Sequence, residues 1–225
     1  MPIKALSFDL DDTFWPIAPV IERAERRMQQ WIVRRHPDLA PRLDPKVLRE
    51  LRESVATDHP HLAHDLSAMR RMTLSLAMRP AGCDEKDVES AFQVFWSARN
   101  EVQLFPDVRP TLRALHPAYR LVTITNGNAD MHRIGLGEVF EHHVKAAQVG
   151  VAKPAPAIFE HALAALELAP HEVLHVGDHL EADVAGALRV GMRAVWLNRE
   201  QRSGGLQQVP VIRSLIELPE LLETL

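Results

Sequence analysis

The 225 residues carry 46% apolar side chains and a formal charge of −4, ample for a real hydrophobic core in one large domain or a core domain with a smaller insert. Lysine and arginine are scattered rather than striped, which argues against nucleic-acid binding, and no apolar run approaches the roughly 18 to 20 residues of a membrane span. The single cysteine, Cys83, excludes an internal disulfide, and the strand pattern begins almost at once with no signal peptide, so the expectation is a cytoplasmic protein.

The first apolar run, Ile3 to Phe8, predicts a strand that empties into Asp9-Leu10-Asp11-Asp12-Thr13. Acids crowded at the carboxyl end of a strand are better placed for chemistry than for stability, because strand ends line the ligand crevice of an open α/β sheet. Like charges this close are most comfortable with a cation or a shared proton between them. After a proline-marked loop, Val20 to Arg35 carries apolar residues at helical spacing, and so do Pro45 to Val55, Asp65 to Met78 and Asp84 to about Val102. No strand signal interrupts them. Residues 16–103 therefore read as an all-helical insert, and residues 1–15 with 104–225 as an α/β core.

In that core a helix to about Leu115 leads to a strand at Leu121 to Ile124, ending at Thr125-Asn126-Gly127. A weaker strand, Val144 to Ala147, precedes Lys153-Pro154. Helix Ala157 to Leu166 leads to strand Val173 to Val176, which stops at Gly177-Asp178; helix Ala182 to Val190, strand Ala194 to Leu197, an edge strand at Val211-Ile212 and a last helix from Pro219 follow. Strands alternating with helices predict parallel βα units in a Rossmann-like, doubly wound sheet.

Three strand ends thus carry polar groups of complementary type: Asp9 and Asp11, Thr125 and Asn126, Asp178 with Asp183, with Lys153 between the second and third. Hard carboxylate oxygens select Mg²⁺, while a hydroxyl, an amide and an ammonium supply the donors and positive charge that phosphate oxygens want. Trp15, just past the first motif, is a candidate surface on which a flat substrate ring could stack, or else an anchor of the loop. His59, His61 and His64 have no spacing typical of a zinc site and read as a solvated loop.

In order and spacing these segments resemble the four motifs of the haloacid dehalogenase-like hydrolase superfamily, with the helical insert where its first type of cap is found. The resemblance implies a phosphatase in which Asp9 is the nucleophile that forms an aspartyl phosphate, and Asp11 the general acid and then base. Thr125, Asn126 and Lys153 would hold the phosphoryl group. Asp9, the Asp11 carbonyl and Asp178 would ligate Mg²⁺, with Asp183 close behind them. Phe8 to Thr13, Ile124 to Ala129 and Leu174 to Asp178 are further similar to bacterial phosphatases acting on flavin mononucleotide and on 5-amino-6-(5-phospho-D-ribitylamino)uracil. The expectation is a small phosphorylated metabolite as substrate for a monomer or homodimer. A phosphomutase acting on a sugar phosphate and a non-catalytic phospholigand-binding protein are the alternatives.

Overall fold

The computed structural model describes residues 2–225. Its sheet is built on β1 (Ala5–Phe8), all four residues of which are buried. β2 (Arg120–Thr125), β3 (His142–Lys145), β4 (Val173–Gly177), β5 (Arg193–Leu197) and β6 (Val211–Ile212) complete it in the order β3-β2-β1-β4-β5-β6. Every pairing is parallel, so this is the doubly wound, Rossmann-like α/β architecture that the alternation of patterns predicts. Phe8 stands level with Thr123 of β2 and Val176 of β4. Three strands therefore run out side by side, at the point where the winding direction reverses, which is where open α/β sheets bind their ligands.

The chain divides into two compact units, Met1–Pro16 with Gln103–Leu225, and Ile17–Val102. The second contains α1 (Ile17–Arg35), α2 (Pro45–Asp58), α3 (Leu66–Met78) and α4 (Glu85–Arg99). α1 starts earlier than its apolar period suggests, because Pro19 fits a first turn where no N–H donor is needed. It buries Val20, Ala24, Met28 and Ile32 on one face and packs on α4, while α2 packs on α3. Met28, Ile32, Leu48, Leu74, Met78, Phe92 and Phe95 share one core. Asp44, Asp65 and Asp84 cap the last three helices by accepting backbone N–H bonds, and Asp87 reciprocates on the Asp84 N–H. Arg70 lies 3.6 Å over Phe95 and reaches Glu25, and Arg71 lies 3.7 Å over Phe92 and pairs with Glu89. Among the described residues His59, His61 and His64 join no group of three converging ligands.

The first unit adds α5 (Val108–Leu115), α6 (Met131–Ile134), α7 (Ala146–Val149), α8 (Pro156–Leu166), α9 (Gly186–Arg189) and α10 (Leu218–Thr224). Ile158, Phe159 and Leu166 of α8 and Ala187 of α9 pack with Val122, Ile124, Val144 and Trp196 in one apolar cluster. Phe8 stacks at 5.5 Å on Phe14, which meets Phe140 at 6.0 Å. Two elements differ from expectation. β3 ends at Lys145 because Ala146 turns into α7. The helix expected from Ala182 begins instead as a wide π-helical turn, Leu180–Ala185, and narrows only at α9; a turn of this kind re-aims side chains, often at functional sites.

A polar knot ties the end of this unit to its beginning. Asp107 accepts from the Ser214 hydroxyl at 2.6 Å, the Leu215 N–H at 2.8 Å and Arg199 at 2.9 and 3.1 Å. Arg199 also donates to the Thr13 carbonyl at 2.9 Å, from 4.1 Å above the Phe105 ring. Burial alone would raise the Asp107 carboxyl, but its hydrogen bonds and the Arg199 charge outweigh that and hold it below its usual 3.8. A depressed carboxylate contributes stability that is present above the unfolded pKa and lost as pH falls through the folded one. Asp107→Asn should therefore cost about 1.5–3 kcal/mol near neutral pH, and urea melts should show the deficit narrowing as the pH drops below 3.8. A deficit that widened in acid would refute this account.

Candidate active site

Asp9 is the first residue past β1, and its N–H donates to the Val176 carbonyl at 3.0 Å, which keeps it in step with β4. Its Oδ1 accepts from Lys153 Nζ at 2.6 Å and its Oδ2 faces the Thr13 hydroxyl at 3.4 Å. The Lys153 ammonium is 2% exposed and also donates to Asp183 Oδ1 at 2.5 Å and to the Ile124 carbonyl at 2.8 Å. All three of its hydrogens are thereby used. Burial alone would lower its pKa, but Asp183 and Asp9 hold it above the ordinary lysine value.

The loop bearing Lys153 is anchored by Asn126, whose Oδ1 accepts the Lys153 N–H at 2.7 Å while its Nδ2 donates to the Lys153 carbonyl at 3.0 Å. Its amide is engaged at both ends by the lysine backbone, so the Asn126 side chain positions Lys153. Thr125 ends β2, is buried, and accepts the Gly127 N–H at 2.9 Å, which leaves its hydroxyl hydrogen to donate.

Asp183 is buried beneath these groups. Besides Lys153, it meets His175 Nε2 at 3.3 Å and accepts the His179 N–H at 2.9 Å. Burial would raise its pKa, but Lys153 and His175 hold it well below the carboxylate range. Burial pushes the His175 imidazole down, towards neutrality. Because an ionised Asp183 can only accept, Nε2 carries the ring hydrogen and Nδ1 accepts from Ser7 Oγ at 2.8 Å. Gly177 is required for this packing, since a Cβ there would stand 2.3 Å from Asp183 Cγ.

Asp178 follows β4; its carbonyl accepts the Trp196 indole N–H at 2.9 Å and its carboxylate accepts from Arg202 at 2.9 Å. Burial raises its pKa, as do Asp183 and Asp12. Carboxylate oxygens of Asp9, Asp178 and Asp183 all lie within 4.8 Å of one another. Burial, opposed by Lys153 and reinforced by the nearby acids, raises Asp9 to about 8. Crowded hard oxygens whose ionisation is suppressed are what a small divalent cation relieves, so the donor set fits Mg²⁺.

Asp11 contributes no carboxylate to this cluster; its Oδ1 accepts the Trp15 indole N–H at 2.9 Å. Trp15, a candidate stacking surface from sequence, is fully buried, with its ring edge-on to Phe14 at 6.3 Å. It therefore presents no face to a ligand and reaches the site through Asp11. Asp12 holds the loop in shape at φ 60°, with its N–H on the Trp15 carbonyl at 2.8 Å. Sequence reasoning missed Arg199, Arg202 and Ser7. Their partners Thr13, Asp178 and His175 are 186, 24 and 168 positions away, and no local pattern marks such pairs.

A family model for haloacid dehalogenase-like hydrolases matches residues 3–191, and the chain belongs to that family. It is 35% identical over 210 residues to the 5-amino-6-(5-phospho-D-ribitylamino)uracil phosphatase YigB of Escherichia coli (strain K12), spanning 92% of this chain and 87% of that protein. A glyceraldehyde 3-phosphate phosphatase of Methanopyrus kandleri is 32% identical over 209 residues, 88% of this chain and 84% of its own. A crystal structure described as a 2-haloacid dehalogenase from Pseudomonas syringae pv. Tomato DC3000 superposes with a TM-score of 0.93 at 38% identity, over 99% of both chains.

Proposed function

We propose that this hydrolase is a Mg²⁺-dependent phosphatase of a small phosphorylated metabolite, working through an aspartyl phosphate on Asp9. The leading substrates are 5-amino-6-(5-phospho-D-ribitylamino)uracil, on which the E. coli relative acts by its name, and flavin mononucleotide. The observation that carries the reading is Asp11, a second carboxyl two residues beyond Asp9 and tethered by Trp15. An alkoxide leaving group needs a proton, whereas a halide leaves unassisted, so a positioned acid here favours phosphoester over carbon–halogen cleavage.

In this mechanism the Asp9 carboxylate attacks phosphorus, the Thr125 hydroxyl donates to a phosphoryl oxygen, and the Lys153 ammonium on Asp9 supplies positive charge beside it. Asp11 gives its proton to the leaving oxygen; as a carboxylate it then takes one from the water that attacks the phosphoenzyme, releasing phosphate and restoring Asp9. Mg²⁺, held by the Asp9 and Asp178 carboxylates and the Asp11 carbonyl with Asp183 nearby, would supply charge that screens the phosphoryl oxygens. Asn126 and Asp183 keep Lys153 in place. The helical unit Ile17–Val102 acts as the cap that selects the leaving group.

A panel of phosphate esters and 2-haloacids, assayed with Mg²⁺ and with chelator, tests the reading. Phosphate release that needs Mg²⁺, fastest on the ribitylamino-uracil ester or flavin mononucleotide, is expected. Halide release without phosphatase activity would overturn it, and isomerisation of sugar phosphates without phosphate release would make the chain a mutase. Trp15→Phe keeps an aromatic ring in the loop but removes the N–H donor that orients the Asp11 carboxyl, a bond worth about 0.5–1.5 kcal/mol. We expect kcat to fall by up to about tenfold with KM little changed; a variant of full activity would show that Asp11 needs no tether.

A further inference from the structure

The helical unit carries a second group of ligand-type side chains, unrelated in sequence to the first. His36 lies just past α1, Cys83 just before α4, and Asp87 in the first turn of α4. His36 Nε2 stands 3.5 Å from Cys83 Sγ, and those two atoms and a carboxylate oxygen of Asp87 all lie within 4.8 Å of one another. Each residue is partly exposed.

A tetrahedral ion bonded to sulfur at about 2.3 Å and to nitrogen at about 2.0 Å sets those two ligands about 3.5 Å apart. A thiol–imidazole hydrogen bond could have the same length. The third group tells the two apart, because a carboxylate oxygen within 4.8 Å of both atoms adds nothing to that hydrogen bond but offers an ion a third ligand. Asp87 is not a freely swinging acid: its Oδ2 accepts the Asp84 N–H at 3.2 Å, which fixes the carboxylate at the helix start. Because all three residues are partly exposed, a fourth ligand such as water has access. One thiolate, one imidazole and one carboxylate suit a borderline-soft ion of the Zn²⁺ class rather than Mg²⁺.

We propose that His36, Cys83 and Asp87 form a Zn²⁺-class site that ties the end of α1 to the start of α4, independent of the acid cluster at the strand ends. The probe is Co²⁺, titrated into the full chain after reduction and removal of metals. A thiolate-to-cobalt charge-transfer band at one equivalent is expected, and it reports this site alone, since Cys83 is the chain's single cysteine and the acid cluster contains no sulfur. The band should vanish in Cys83→Ser. Changes to residues that merely support metal ligands cost about 10- to 100-fold in affinity, so His36→Gln and Asp87→Asn should each weaken binding at least that much while far-ultraviolet dichroism confirms their fold. Zn²⁺ should raise the melting temperature of the wild type and not of Cys83→Ser. Absence of the band at saturating Co²⁺ would overturn the proposal, and so would unchanged affinity in the histidine and aspartate variants, which would mark a simple thiol adduct.

Discussion

Asp9→Asn should abolish turnover and leave the protein folded. The amide nearly matches the carboxylate in shape, so it can still accept from Lys153 at the Oδ1 position, where the native distance is 2.6 Å. It cannot carry the negative charge that attacks phosphorus. We expect kcat to drop at least ~10⁴-fold, equivalent to about 5.5 kcal/mol of transition-state stabilisation. Thermal stability should be equal to the wild type or higher. Burial and the neighbouring acids suppress ionisation of Asp9 up to about 8, so its charge is a burden on the metal-free fold, and Asn removes it. A raised carboxyl costs stability progressively as pH climbs from the unfolded value of 3.8 towards 8, so any advantage of the variant should grow over that window. Steady-state assays and melts at several pH values check both halves, and a variant with wild-type turnover would end the nucleophile assignment.

Lys153→Met should damage the fold as well as the chemistry. Methionine fills much the same volume, but it leaves two carboxylates, 10% and 2% exposed, without the cation between them. Breaking a buried pair from one side typically costs about 3–5 kcal/mol, and at about 2–4 °C per kcal/mol for a chain of this size the melting temperature should fall by roughly 10 °C. The orphaned acids can escape part of the penalty by taking up protons. Their folded pKa values then lie above the unfolded 3.8, so the deficit should be largest at high pH and shrink on acidification. Lys153→Met combined with Asp183→Asn should recover much of the stability and none of the activity. If the single variant unfolded within 1 kcal/mol of the wild type by denaturant melts, the buried triad would not be the structural keystone described here.

How far such a site can be read from sequence depends on the range of the forces that build it. β1, β2 and β4 announce themselves because each is a short apolar run bounded by polar residues, and the acids at their ends stand out against that background. α1 to α4 are legible from apolar spacing and from caps such as Asp84, which act within one turn. What the sequence leaves open is decided by contacts that it does not display. Trp15 reads as either a ligand surface or an anchor of the loop, and its burial and its bond to Asp11 favour the anchor. The second task of Asn126, holding the Lys153 backbone 27 residues away with both ends of its amide, is not visible in the sequence. β3 and the π-helical turn before α9 depart from pattern where neighbouring backbone, not side-chain periodicity, sets the path.

The central place of β1 has a bearing on how the molecule is made. This strand precedes both of its neighbours in the chain, which arrive only with residues 120 and 173, and the arginine that grips its loop comes at 199. The helical segment Ile17–Val102, by contrast, is an unbroken stretch with a core of its own, and domains generally fold as units during synthesis. The growing polypeptide should thus complete its helical segment before β1 is paired, and the acids past β1 should acquire their setting only once residue 199 has been made.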